Sequence, residues 1–203
     1  YLGLRGLSLG RLPLLGPHQA QNAATALSVL DALADAGLAP IRPQVAVQGF
    51  AHVRLPARVE VLDSAPWLVI DGAHNVASAE ALAETVRICL PAGPRTLVFG
   101  TTRDKDLDGQ LRALLPLFST CVATRYRENP RAVPTDEVAA AIRRLSDRDP
   151  VLAAGPAEAL HEARRRTPSD GLICVTGSFF LAAETRALVL GLEPAPAITV
   201  ATP

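Results

Sequence analysis

Methionine is missing from this sequence altogether, so Tyr1 is not a natural start and the chain reads as a piece of a longer protein. Lysine is nearly missing: Lys105 is the one lysine among 20 basic residues. Neither sign of charge prevails, since 20 acidic residues balance the 20 basic ones. That balance excludes the basic footprint of a nucleic-acid partner and a cationic patch for a membrane surface. No apolar run reaches the length of a membrane-spanning helix, and no signal-peptide pattern opens the chain. Cysteine is scarce and odd in number. Cys89, Cys121 and Cys174 lie far apart among apolar residues, which reads as three buried free thiols in a reducing cytoplasm rather than a disulfide or metal set.

What is present is apolar and aliphatic. With 203 residues and 49% hydrophobic composition, the chain can build one full domain and part of another. The excess of Ala, Leu, Arg and Pro suggests a GC-rich genome. Residues 1 to 15 are short Leu/Gly/Arg runs suited to a strand or hairpin. "GPHQAQNAATALSVLDALADAG" reads as a helix with Leu27, Leu30 and Ala34 on one face and Gly37 as its stop. A short helix is expected from Pro43 to Gln48, ended by Gly49.

From Arg58 the pattern sharpens. "RVEVL" at 58–62 reads as a strand that opens on Arg58 and pairs antiparallel at a sheet edge. Further strands are expected at 67–71, 95–100, 118–123, 151–153 and 171–176. Helices are expected at 76–90, 106–116, 135–146, 156–166 and 178–190, with Thr135 as an N-cap, and Asp136 and Glu137 in the first turn after it. Regular alternation of this kind predicts an α/β fold, a Rossmann-like, mostly parallel sheet with helices on both faces. The expected division is 1–50 as the remnant of a preceding domain, 51–57 as linker, 58–190 as the Rossmann-like domain and 191–203 as a flexible tail.

Open parallel sheets bind ligands beyond the carboxyl ends of their strands. The informative segments are therefore "DGAHN" at 71–75, "GTTRDKD" at 100–106, "TRYREN" at 124–129 and "TGSFF" at 176–180. Asp71 ends a strand, Gly72 lets the backbone turn closely, and His74 and Asn75 stand at a helix N-terminus, where free N–H groups favour anions. A plain helix cap explains the same residues equally well. Ser178 can cap the last helix, and Gly177 allows a close approach. Lys105, flanked by Asp104 and Asp106, is a candidate cleft residue, because a compact ammonium is not interchangeable with guanidinium at a tight site. Asn22 is one of only three asparagines and has poor helix propensity, so a packing or ligand role is suspected.

"GPHQAQNAATAL", "LPARVEVL", "VIDGAHNVASAEAL", "GTTRDKD" and "VTGSFFLAAE" follow one another in an order and spacing that resembles the C-terminal part of bacterial folylpolyglutamate synthase/dihydrofolate synthase, a Mur-ligase relative. The resemblance covers roughly 16 to 190 of the chain. It implies an ATP-dependent amide ligase: ATP phosphorylates a carboxylate of folate or dihydropteroate, and the amine of L-glutamate attacks the acyl phosphate. It implies a nucleotide held between a central ATPase domain and the smaller C-terminal domain, with Mg²⁺ bound upstream. Carried over by motif, Asn22, Arg58 and Asp71 would contact ATP, His74 would serve catalysis beside the incoming glutamate, and Ser178 would be a glutamate contact. Ala57 stands where the family has Gly, implying a stiffer linker, and Val76 stands where Pro is usual at the first helical turn.

No G-x-x-x-x-G-K-[S/T] loop occurs in the sequence, so the triphosphate cradle is expected elsewhere and the chain alone is expected to be inactive. The implied protein is cytoplasmic and monomeric, with small-molecule partners only. Two other readings share these residues: the C-terminal domain of a cell-wall Mur-type ligase, and a non-catalytic Rossmann-like binding module.

Overall fold

The computed structural model describes residues 12–38 and 42–192. The expected hairpin at 1–15 lies largely outside these residues, as does most of the expected tail at 191–203.

Two helices come first. α1 (Pro17–Asp35) begins with Pro at its first turn and ends as foreseen at Gly37, whose φ of +70° closes a Schellman turn: Leu38 N–H donates to Leu33 O and Gly37 N–H to Ala34 O, both at 3.0 Å. α2 (Pro43–Ala51) runs through Gly49 instead of stopping there. Glycine weakens a helix by about 1 kcal/mol but ends one only where the chain turns left-handed, and Gly49 does not. α1 and α2 close on each other around Leu27, Ala46, Leu30 and Phe50.

The remainder is an α/β unit. β1 (Glu60–Ser64) and β2 (Trp67–Ile70) form an antiparallel hairpin with a bulge between Val61 and Asp63. Then come α3 (Val76–Cys89), β3 (Arg95–Phe99), α4 (Leu107–Leu114) with a 3₁₀ turn at Leu115–Leu117, and β4 (Thr120–Ala123). They are followed by α5 (Thr135–Leu145), β5 (Val151–Leu152), α6 (Pro156–Arg166), β6 (Leu172–Thr176) and α7 (Phe179–Leu190). The sheet order is β1-β2-β6-β3-β4-β5, parallel throughout except for β1 at its edge.

Alternating side chains divide the strands between two cores. Val69, Leu97, Phe99, Cys121 and Cys174 face α3, α4 and α5, where they meet Leu82, Leu111 and Ile142. Leu68, Ile70, Val98, Val122 and Val175 face α6 and α7, where they meet Leu160 and Leu181. Two of the expected buried thiols are in this core, and burial pushes Cys121 up to about 11 and Cys174 higher still. Cys89 is exposed instead, because it ends α3 on the helix face turned from the sheet.

Two local expectations change. β1 starts at Glu60, so Arg58 does not open it: Ala57 and Val59 adopt φ of +55° and +48°, which no strand accommodates. Pro134 rather than Thr135 precedes the first turn of α5, and the Thr135 hydroxyl donates to Ala153 O at 3.4 Å. Asp136 and Glu137 still occupy that first turn, and Arg143 and Arg144 the last, matching the helix dipole at both ends.

Candidate functional site

Sheet order decides where a site can form. β2 and β3 feed helices on one face, whereas β6, inserted between them, feeds α7 on the other. Neighbouring connections thus part company beyond the carboxyl ends of β2, β6 and β3, and a crevice opens there. The "DGAHN", "TGSFF" and "GTTRDKD" segments all leave the sheet at this point.

A cavity of about 140 Å³ in the crevice is lined by His74, Thr102, Lys105, Ser178, Phe179 and Phe180, with Asp104 and Arg131 at its charged side. Three residues expected from separate motifs, His74, Lys105 and Ser178, are therefore brought together. The space suits a small polar molecule.

His74 is half-buried, and its Nδ1–H donates to Gly72 O at 2.9 Å. A carbonyl can only accept, so Nδ1 carries a proton and Nε2 is the ring's remaining site. The capping work falls to other residues. Asn75 Oδ1 accepts from Ser78 N–H at 2.8 Å, and the Ser78 hydroxyl oxygen accepts from Asn75 N–H at 3.1 Å, a reciprocal capping box. Ser178 caps α7 as expected, accepting from Phe180 N–H at 3.1 Å.

Lys105 Nζ pairs with Asp104 at 3.2 Å, and Arg131 reaches the same carboxylate at 2.7 Å. The lysine's hydrogen bond, followed by the arginine's, holds the Asp104 carboxyl below its usual range. All three groups are partly exposed, so these ion pairs stabilise the fold only weakly.

Asp71 is buried at the end of β2. It is 6% exposed, and both of its oxygens are engaged: Oδ2 accepts from Val59 N–H at 2.8 Å and Oδ1 from Ala73 N–H at 2.7 Å. Burial raises its carboxyl above the usual range; those two N–H bonds, then the charges of Arg58 and His18, pull the other way. The cause of its burial is the segment preceding β1, which folds over the end of β2: Gly72 N–H donates to Ala57 O at 2.8 Å.

Arg58 rides on that fold. Its guanidinium lies 4.5 Å above the centre of the Phe179 ring, and the His74 ring lies 5.1 Å from the same phenyl group. Phe179 thus separates Arg58 from the cavity while touching both sides. Gly72 makes the arrangement possible, since a Cβ there would stand 2.3 Å from the phenyl ring. Ala57 adopts the left-handed conformation that glycine favours, and Val59 does so with a β-branched side chain, at a cost of about 1–3 kcal/mol each. Asn22 lies on the exposed side of α1, donating to Gln19 Oε1 at 3.2 Å, and does not line the cavity.

Phe179, Phe180, Thr102 and Arg131 were not singled out by sequence. The phenylalanines lie in "TGSFF", but nothing local marks an aromatic as a partition. Thr102 shares a 2.8 Å hydrogen bond with Tyr126, whose ring lies 5.1 Å from that of Phe180. Glu184 of α7 accepts from the backbone N–H groups of Arg127 and Glu128, which ties the 124–129 loop to α7. Among the described residues no group of three His, Cys, Asp or Glu could hold a metal ion. Asp71 is saturated by amides and Asp104 by cations, so the donors present do not fit Mg²⁺, which demands several free oxygens.

The family model described as "Mur ligase, glutamate ligase domain" matches residues 57–179. Over 131 residues the chain is 42% identical to the dihydrofolate synthase/folylpolyglutamate synthase of Mycobacterium tuberculosis, covering 64% of this chain and 27% of that protein. It is 33% identical over 181 residues to the folylpolyglutamate synthase of Lacticaseibacillus casei, covering 89% of this chain and 40% of that protein. The chain thus spans well under half the length of either relative. Among solved structures, Mycobacterium tuberculosis folylpolyglutamate synthase complexed with ADP matches with a TM-score of 0.80 and 34% identity, over 90% of this chain and 42% of that one. The bifunctional folylpolyglutamate synthase/dihydrofolate synthase with Mn, AMPPNP and L-glutamate bound matches with a TM-score of 0.75 and 28% identity, over 92% of this chain and 43% of that one.

Proposed function

Since the chain belongs to the Mur ligase family of glutamate ligase domains, we propose that it supplies the glutamate-side half of an ATP-dependent ligase that joins L-glutamate to folate or dihydropteroate. The observation that carries this reading is the convergence of His74, Lys105 and Ser178 on one small cavity, with Arg58 across the Phe179 ring. The preceding segment, 1–50, belongs in this reading to a central ATPase domain, 51–57 to the linker between domains, and Mg²⁺ to residues upstream.

The residues divide the work by charge. Lys105, released from Asp104, pairs with a carboxylate of glutamate, where a charge-assisted contact of this kind contributes about 1.5–3 kcal/mol. His74 Nε2 accepts a hydrogen bond from the amino group of glutamate, because Nδ1 is committed to Gly72. This orients the nitrogen lone pair once the amine has lost its proton. Ser178 keeps the start of α7, and with it Phe179 and Phe180, in place around the cavity. Arg58 faces the nucleotide side and offers a planar cation to phosphate oxygens. ATP supplies the phosphoryl group that activates the substrate carboxylate. The amine then forms the amide bond to the acyl carbon, phosphate departs, and one proton is released. Closure of the two domains brings these groups within reach. The reading places the protein in the cytoplasm as a monomer with small-molecule partners. No helix among the described residues is long and apolar enough to cross a membrane.

Glutamate kinetics in the longer polypeptide that contains this chain test the reading. His74→Ala is expected to lower kcat/KM for glutamate by about tenfold or more while leaving the apparent affinity for ATP within about twofold. Unchanged glutamate kinetics would remove His74 from the site. Ligation to a cell-wall peptide precursor in place of a pterin substrate would replace folate by a Mur-type substrate.

A further inference from the structure

The two residues that flank Arg58, Ala57 and Val59, hold left-handed φ values of +55° and +48°. Both are buried, at 7% and 4% exposure, so their backbone groups need partners inside the protein. Those partners are two carboxylates. Val59 N–H donates to Asp71 and Ala57 N–H donates to Glu60 Oε2, each at 2.8 Å. Glu60 is in turn gripped from the far end of the chain: Arg186 of α7 donates its Nε–H to both Glu60 oxygens at 3.0 Å. The pair is half-buried at 29% and 22% side-chain exposure, and it lines, with Arg58, a groove of about 490 Å³ beneath the linker.

An ordinary surface ion pair explains less than this. Glu60 has a backbone task as well as a charge partner, and its task is performed one residue from Arg58. Without the carboxylate, the Ala57 amide is buried, unpaired and in a disfavoured conformation, and the turn relaxes toward the extended chain that "ARVEV" otherwise prefers. Arg58 would then leave the face of Phe179, which begins the same helix that carries Arg186. The latch therefore ties the linker and the crevice wall to one rigid element.

We infer that Glu60 and Arg186 are positioning residues that latch the linker turn and so hold Arg58 in place for the nucleotide. The inference rests on the proposed ligase reading for what Arg58 serves, but not for the latch itself. Two measurements separate these. In the 203-residue chain, amide exchange at Ala57 and Val59 is expected to quicken about tenfold in Glu60→Ala and in Arg186→Ala, with Val69, Leu97 and Ile173 unchanged. Arg186→Lys, which keeps the cation, is expected to retain most of the protection. Unchanged exchange at Ala57 and Val59 would overturn the latch. In the longer polypeptide, Glu60→Ala is expected to raise the apparent KM for ATP about fivefold, and to add nothing in an Arg58→Ala background. A full additional effect in that background would show that Glu60 does not act through Arg58 and would overturn the positioning role. If Arg58→Ala alone leaves ATP kinetics intact, the nucleotide assignment of Arg58 fails, and with it the purpose of the latch, while amide exchange still decides whether the latch exists.

Discussion

Asp71 owes its burial to a contact that the sequence conceals. The strand-end acid was visible, and so was its neighbour His74, because both roles depend on local placement at the end of β2. The turn before β1 folding back to donate Val59 N–H was not visible, because "RVEVL" carries strand chemistry and a left-handed valine is a tertiary override of it. The titration of Asp71 tests that geometry. Its folded carboxyl is raised above the ordinary 3.8, because burial outweighs the two amide bonds. The folded state therefore binds a proton more readily than the unfolded one. The cost of burying the ionised form is fully present above the folded pKa and is relieved as pH falls through it toward 3.8. Asp71→Asn abolishes this titration and also leaves one buried N–H facing an amide NH₂, at a cost of about 1–3 kcal/mol. Urea unfolding between neutral pH and about pH 4 is expected to show wild type gaining stability over Asp71→Asn as the solution is acidified. A gap that narrows on acidification would mean that the amide bonds dominate and the folded pKa is lowered.

At the level of elements, the strands and helices were largely legible from periodicity, and their errors cluster at ends. Gly49 and Thr135 are residue types that stop or cap helices by habit, yet the backbone at Gly49 never turns left-handed and Pro134 takes the capping position. Asn75 is the opposite case, a cap that the sequence allowed but could not separate from a ligand role. The structure divides the two roles between adjacent residues, since Asn75 and Ser78 complete the capping box while the His74 ring turns to the cavity. Asn75→Ala is therefore expected to destabilise the fold by about 1 kcal/mol, with glutamate kinetics changed far less than in His74→Ala. His74→Ala should leave the melting temperature nearly unchanged. Thermal unfolding and glutamate kinetics on both variants check the division. A large loss of stability in His74→Ala with intact kinetics would return "DGAHN" to a simple cap. Phe179 escaped notice at this scale because its role needs Gly72 and Arg58, which meet it only once β2, β6 and the turn before β1 are assembled.

Across the whole molecule, the two cores give the thiols distinct fates. Cys121 and Cys174 are sealed between sheet and helices and held protonated by burial, whereas Cys89 is exposed at the end of α3. A thiol reagent near neutral pH is expected to label one cysteine in the folded chain and three in urea. Rapid labelling of two or three in the folded state would contradict the packing. The same completeness of packing bears on activity. Helices cover both hydrophobic faces of the sheet, so the 203-residue chain is expected to unfold cooperatively by itself. Ligation asks for more than a folded domain. The proposed chemistry transfers a phosphoryl group, which requires backbone and lysine donors cradling a triphosphate together with a divalent cation. The sequence contains no phosphate loop, and its one lysine stands in the small cavity rather than in a glycine-rich turn. The chain alone is therefore expected to unfold cooperatively on heating yet to release no phosphate from ATP in the presence of folate or dihydropteroate and glutamate, while the longer polypeptide does so. Phosphate release and amide formation by the purified 203-residue chain would place a complete nucleotide site within these residues and overturn the division of labour between the two domains.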